Sequence, residues 1–84
     1  MPHAVYLKMS AEKDLASLPR EVHERIIKRL LALRANPRPP GAKKLWGGER
    51  YRVRVGGYRV LYTIDDALQA VEVVGIGHRS RIYD

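Results

Sequence analysis

The stretch Arg50-Tyr51-Arg52-Val53-Arg54-Val55-Gly56-Gly57-Tyr58-Arg59-Val60-Leu61-Tyr62-Thr63-Ile64 decides how this chain folds. Residues alternate in chemistry on either side of Gly56-Gly57, and a two-glycine step between alternating runs predicts a tight β-hairpin. A two-residue loop fixes the register: Val55 faces Tyr58, Arg54 faces Arg59, Val53 faces Val60, Arg52 faces Leu61 and Tyr51 faces Tyr62. One face then carries Tyr51, Val53, Val55, Tyr58, Val60 and Tyr62, a surface that helices can cover. The other gathers Arg50, Arg52, Arg54 and Arg59. Arg54 directly across from Arg59 is a like-charge pair that costs stability unless an anion sits over it.

Beyond the hairpin, Asp65 to Gln69 reads as a turn and Ala70 to Ile76 as a third strand. A four-residue loop puts Glu72, Val74, Ile76 and, by parity, His78 on the arginine side. Gly75 and Gly77 permit a bend that brings Arg79, Arg81 and Tyr83 over the same patch. On the N-terminal side, Ala4 to Met9 reads as a strand and Ser10 as the N-cap of a short helix to about Leu18. Glu12 and Asp14 then fall in its first turn. Pro19 suits the first position of a second helix. Within it Val22, Ile26, Ile27, Leu30, Leu31 and Leu33 form a stripe from Arg20 to Arg34. Glu21 with Arg25 and Glu24 with Lys28 are spaced as supporting ion pairs. Asn36 to Gly41, with three prolines, stops that helix and makes a stiff crossing back to the β region. The expected fold is α+β in the order β-α-α-β-β-β, with two N-terminal helices on one face of a twisted antiparallel sheet. Residues 1–84 are expected to be one domain without internal repeats.

Composition narrows the chemistry. The 84 residues carry 16 Lys+Arg against 9 Asp+Glu, a formal charge of +7, and contain no cysteine. Disulfide frameworks, zinc knuckles and thiol catalysis are therefore excluded. No stretch has the length or apolarity of a membrane span or an export signal, so a cytoplasmic protein without membrane attachment is expected. This much positive charge on a small body predicts a polyanionic partner, with nucleic acid first. A lone strand arginine is ordinarily a solvated residue that discourages edge aggregation. Four on one hairpin face, followed by His78-Arg79-Ser80-Arg81-Ile82-Tyr83, favour anion binding, and guanidinium forks match phosphate oxygens.

Tyr51-Arg-Val-Arg-Val-Gly-Gly-Tyr-Arg-Val-Leu-Tyr62, with Val74-Gly-Ile-Gly-His-Arg-Ser-Arg-Ile-Tyr83, resembles the RelE family of toxin-antitoxin ribonucleases, in the RelE/ParE superfamily. The two helices, the Asn36-Pro37 break and Lys44-Leu45 fit the same resemblance, which spans nearly the whole chain. It implies a toxin that enters the ribosomal A site and cuts messenger RNA, the 2′-hydroxyl attacking the adjacent phosphate. It implies neither metal nor other cofactor. It also implies an acidic RelB-like antitoxin, the toxin being monomeric alone and part of a larger complex with its antitoxin. The family's catalytic positions map onto Arg52, Arg54, Arg59, Arg79 and Tyr83. The best-known members have lysines at the positions of Arg52, Arg54 and His78. The sequence ends one residue after Tyr83, which leaves the C-terminal helix of longer members without a counterpart.

Such a transesterification needs a proton removed, charge stabilised at phosphorus and a proton returned to the leaving oxygen. Arginine, with a pKa above about 12, supplies the charge stabilisation. Proton transfer is left to Tyr83, whose phenol neighbouring Arg79 and Arg81 would acidify, or to His78. Tyr83 could equally pin the tail to the sheet, and His78 could simply bond to backbone. Lys43, Lys44, Arg50 and Arg81 are expected to contact RNA, and Arg25, Arg29 and Arg34 to give unspecific phosphate contact or solubility. His3 and His23 carry no expected chemistry, Asp65-Asp66 suits a turn, and Trp46 is expected to close the core end, with RNA stacking as the alternative. Two other functions fit less of the sequence: a ParE-like gyrase inhibitor, and a non-catalytic basic module for RNA or protein.

Overall fold

A computed structural model describes residues 2–78. Its elements are β1 (Ala4–Leu7), α1 (Met9–Ala16), α2 (Arg20–Ala35), β2 (Lys43–Lys44), β3 (Arg50–Val55), β4 (Tyr58–Asp65) and β5 (Ala70–His78). The five strands form one sheet in the order β1-β5-β4-β3-β2. The expected α+β arrangement therefore stands, with two differences. β1 joins parallel to β5, from Ala4 opposite Ala70 to Leu7 opposite Val73, so the sheet is mixed. β2 adds a short edge to β3.

The β3–β4 hairpin has the expected register at every pair from Tyr51–Tyr62 to Val55–Tyr58. Gly56 has φ +61, the left-handed conformation a tight hairpin turn requires and glycine adopts without penalty. The helices cover the face bearing Val53, Val55, Val60 and Tyr62, which joins Ile26, Leu30, Leu33, Val71, Val73 and Ile76 in the buried core. In α2 the expected stripe holds only in part: Leu31 is exposed. Arg20 pairs with Glu24 at 3.5 Å across one helical turn, in place of the two expected pairs.

The first helix departs more. Its N-cap is Lys8, without a side-chain cap, and Ser10 lies inside its first turn. The Ser10 hydroxyl donates instead to the Val74 carbonyl at 2.9 Å. Asp14 accepts the Ile76 amide at 3.0 Å. The reason lies in β5: its pairing with β1 stops at Val73, and the backbone beyond needs partners that a strand no longer supplies. α1 provides them.

A β-bulge sits where β4 and β5 pair. Tyr62 is opposite Val73 while Leu61 is opposite Gly75, so Val74 is an extra residue. The extra residue inverts the alternation of everything after it. Ile76 faces Val60 and His78 faces Tyr58, both on the helix-covered side. The regular register expected from sequence put Ile76 and His78 with the arginines; the bulge overturns that placement.

The crossing after α2 is held by a polar cluster at the open end of the hairpin. Asn36 Oδ1 accepts the Arg38 amide at 3.0 Å. Arg38 grips Asp66 through two hydrogen bonds of 3.2 and 2.9 Å, donates to the Tyr51 hydroxyl at 3.2 Å and lies over that ring. Tyr51 stacks on Tyr62, whose hydroxyl donates to the Pro37 carbonyl at 2.8 Å. Burial pushes the Tyr62 phenol up to about 12. The Arg38 hydrogen bonds hold the Asp66 carboxyl below its ordinary range. His3, expected to be idle, sits 3.6 Å from Asp66 in this cluster.

Candidate functional site

The face of the sheet opposite the helices carries the arginines, and the hairpin register sets their spacing. Side chains two residues apart on a strand are about 6.8 Å apart. Arg50, Arg52 and Arg54 thus form a row along β3, and Arg59 adds a fourth cation directly across from Arg54. Arg50 and Arg54 are exposed and Arg59 is half-buried, while Arg52 is only 6% exposed. Solvation cannot be the reason for a guanidinium so withdrawn from water. Lys43 lies opposite Arg52 and extends the row onto β2. Lys44 lies opposite Tyr51, which puts it on the other face of the sheet, apart from the row.

β2 pairs only with Tyr51 and Arg52, which leaves the outer edge of β3 open from Val53 onward. Two grooves run along that opening. One, of about 290 Å³, is lined by Arg29, Pro40, Gly41, Lys43, Arg52, Val53 and Arg54. The other, of about 380 Å³, is lined by Arg25, Lys28, Arg29, Ala32, Arg54, Val55 and Gly56. They share Arg29 and Arg54, and among the described residues neither lining includes a carboxylate. Among the described residues six cations and no acidic residue line the two grooves, and cations so gathered make a positive potential of the kind that attracts polyanions. The helical cations were expected to act only unspecifically or for solubility. Packing of α2 beside β3 brings Arg25 against the hairpin turn, its guanidinium within 3.1 Å of where a Gly56 Cβ would lie. The sequence signal for this was weak: Arg25, Lys28 and Arg29 share a helix face, but nothing local says which strand that face meets.

His78, expected beside the arginines, stands edge-on to Tyr58 with ring centroids 5.3 Å apart and close to the Gly57 backbone. It is near the hairpin tip but reaches it from the helix-covered side. Trp46, expected to close the core end, is 99% exposed on the turn between β2 and β3. Asp65 serves the β4–β5 turn as expected, accepting the Leu68 amide at 3.0 Å, whereas Asp66 is taken up by Arg38. Arg79, Arg81 and Tyr83 lie outside the described residues. Among the described residues no cluster of His, Asp and Glu could hold a metal ion, and no helix is long and apolar enough to cross a membrane.

The face therefore presents planar, bidentate donors in a row, a buried member at its centre and a shared positive field, which is a donor set that suits an anion. A sequence family described as the ParE toxin of the type II toxin-antitoxin system parDE matches residues 5–83. No curated protein matches. Among solved structures, the toxin–antitoxin complex RelBE2 of Mycobacterium tuberculosis contains a chain that is 28% identical, with a TM-score of 0.85 over 94% of this chain and 100% of that one. The archaeal RelE–RelB complex of Pyrococcus horikoshii OT3 gives 27% identity and a TM-score of 0.84, over 98% and 100% of the two chains. The isolated RelE toxin of E. coli gives 26% and 0.82, over 95% and 87%.

Proposed function

The chain belongs to the RelE/ParE superfamily of type II toxin-antitoxin toxins, and from that premise we propose that it is a ribosome-dependent endoribonuclease that cuts messenger RNA in the A site. The observation that carries the proposal is the opposed Arg54–Arg59 pair beside the buried Arg52. Guanidinium groups gathered this closely on one face match the oxygens of a phosphate in charge and in fork geometry.

In this reaction the 2′-hydroxyl attacks the adjacent phosphorus and the 5′-oxygen of the next nucleotide leaves, giving a 2′,3′-cyclic phosphate and a 5′-hydroxyl. Arg52, Arg54 and Arg59, with Arg79 from the tail, bind the phosphate and stabilise the charge that grows on its oxygens. Arg50, Lys43 and Arg81 hold the strand on either side. With His78 turned toward Tyr58, the proton is assigned to Tyr83, whose phenol would be acidified by Arg79 and Arg81. A cognate acidic antitoxin of RelB type neutralises the toxin by covering this positive surface. The reading is supported by RelE-type toxins solved with RelB-type antitoxins at similar length and fold.

Primer extension on a message translated with the purified toxin tests the proposal. Arg59→Ala and Arg79→Ala are each expected to reduce cleavage by roughly 100- to 1,000-fold, the usual loss when one transition-state donor is removed. Circular dichroism checks that each variant is folded. Undiminished cutting by both would overturn the assigned site. A second reading is favoured by the family match itself, which is to a ParE toxin: inhibition of DNA gyrase without RNA cleavage. Loss of gyrase supercoiling at low toxin concentration, with the message intact, would establish it instead.

A further inference from the structure

Tryptophan has more apolar surface to gain from burial than any other side chain, yet Trp46, the one tryptophan in the sequence, is 99% exposed. Its turn is not loosely attached. The Leu45 amide donates to the Arg50 carbonyl at 2.8 Å, which continues the β2–β3 pairing one step beyond Lys44. Gly47 turns the chain at φ +77, a conformation that suits glycine and fixes the shape of the loop. Trp46 therefore sits at a set place: one residue past the partner of Arg50, at the end of the cationic row that runs from Arg54 through Arg52.

Arginines that leave the strand about 6.8 Å apart offer donors at a spacing comparable to that of successive phosphates of an extended strand. A strand so bound along the row and continued past Arg50 reaches the turn that carries the exposed indole. Positive grooves ending on aromatic faces are how proteins hold single-stranded nucleic acid, because every base offers a π-face. We propose that Trp46 is a stacking platform for an unpaired base of the RNA strand held on the arginine row, and so sets where that strand lies relative to the Arg54–Arg59 pair. The proposal rests on the reading of the row as an RNA site. It does not require that the protein cut RNA.

Because Trp46 is the sole indole, its intrinsic fluorescence reports on this position alone. The probe is a short 2′-O-methyl oligoribonucleotide, which cannot undergo attack by its own 2′-oxygen, compared with an abasic strand of the same length and charge. The intact strand is expected to quench the indole and the abasic strand to bind without quenching. Trp46→Ala is expected to weaken binding of the intact strand, followed by fluorescence anisotropy of a labelled copy, by about 5- to 150-fold. Trp46→Phe should fall between the two, and Trp46→Ala should leave affinity for the abasic strand unchanged. Tight binding of the intact strand with neither quenching nor loss in Trp46→Ala overturns the platform and leaves the row standing. Failure of both strands to bind overturns the platform and the row together. Quenching by an acidic peptide but not by the intact strand would assign Trp46 to a protein contact, and overturns the proposal equally.

Discussion

At the scale of single residues, Tyr62 shows how much can hang on one hydroxyl. The ring is fully buried and its O–H satisfies the carbonyl of Pro37, pinning the crossing from α2 to the sheet. Tyr62→Phe leaves that buried carbonyl without its donor, so unfolding in urea should show a loss of about 1–2 kcal/mol. The same group predicts a pH dependence. Its folded pKa of about 12 is raised above the ordinary value of 10.0, so the neutral phenol is favoured by folding. Its contribution is complete below pH 10 and is lost as the pH rises through about 12. Stability curves of wild type and Tyr62→Phe should therefore converge across that interval. Such roles were only partly legible in the sequence. Arg54 opposite Arg59 could be read because a two-residue turn leaves no freedom of register. The duties of Ser10, Asp14 and His3 could not, since each side chain answers a backbone group or a carboxylate more than 60 residues away in sequence.

At the scale of elements, the bulge in β5 decides which side chains share a face. Val74 is the inserted residue, and because of it Ile76 is buried against Val60 at 3% exposure. Ile76→Ala should accordingly cost about 2–5 kcal/mol in equilibrium unfolding, as truncation in a packed core does. Without the bulge Ile76 would lie on the arginine face, outside the core that joins sheet and helices. The run Val71-Glu72-Val73-Val74-Gly75-Ile76 contains the clue, for the apolar positions change from odd to even where Val73 and Val74 stand together, next to a glycine. A bulge is the physical way to make such a phase change inside a strand. The strand β2 had no comparable clue, because two lysines carry no apolar alternation and are ordered only by pairing with β3. The parallel partnership of β1 with β5 was also illegible. It joins segments far apart in the chain, and no turn specifies it.

At the scale of the whole molecule, the formal charge of +7 is not evenly spread. Sheet and helix cations converge on the two grooves beside β3 while Arg38 is tied to Asp66 and Arg20 to Glu24. Binding of a single-stranded oligonucleotide should therefore weaken linearly in a log–log plot against salt concentration. Arg54→Ala and Arg25→Ala should each lower the slope by about 0.7 if both cations touch phosphate, whereas Arg20→Ala should leave it unchanged. That test bears on the part of the site least visible from sequence, the helical cations, whose position depends on how α2 packs. The sheet order β1-β5-β4-β3-β2 has a further outcome during synthesis. β5, the final strand described, lies inside the sheet between β1 and β4, and without it the N-terminal strand lacks the partner it has here and the core stays open on one side. Closure by contacts so distant in the chain comes late in folding. On a ribosome making this protein the arginine hairpin, complete at Asp65, therefore precedes the strand from Ala70 on which the N-terminal strand docks.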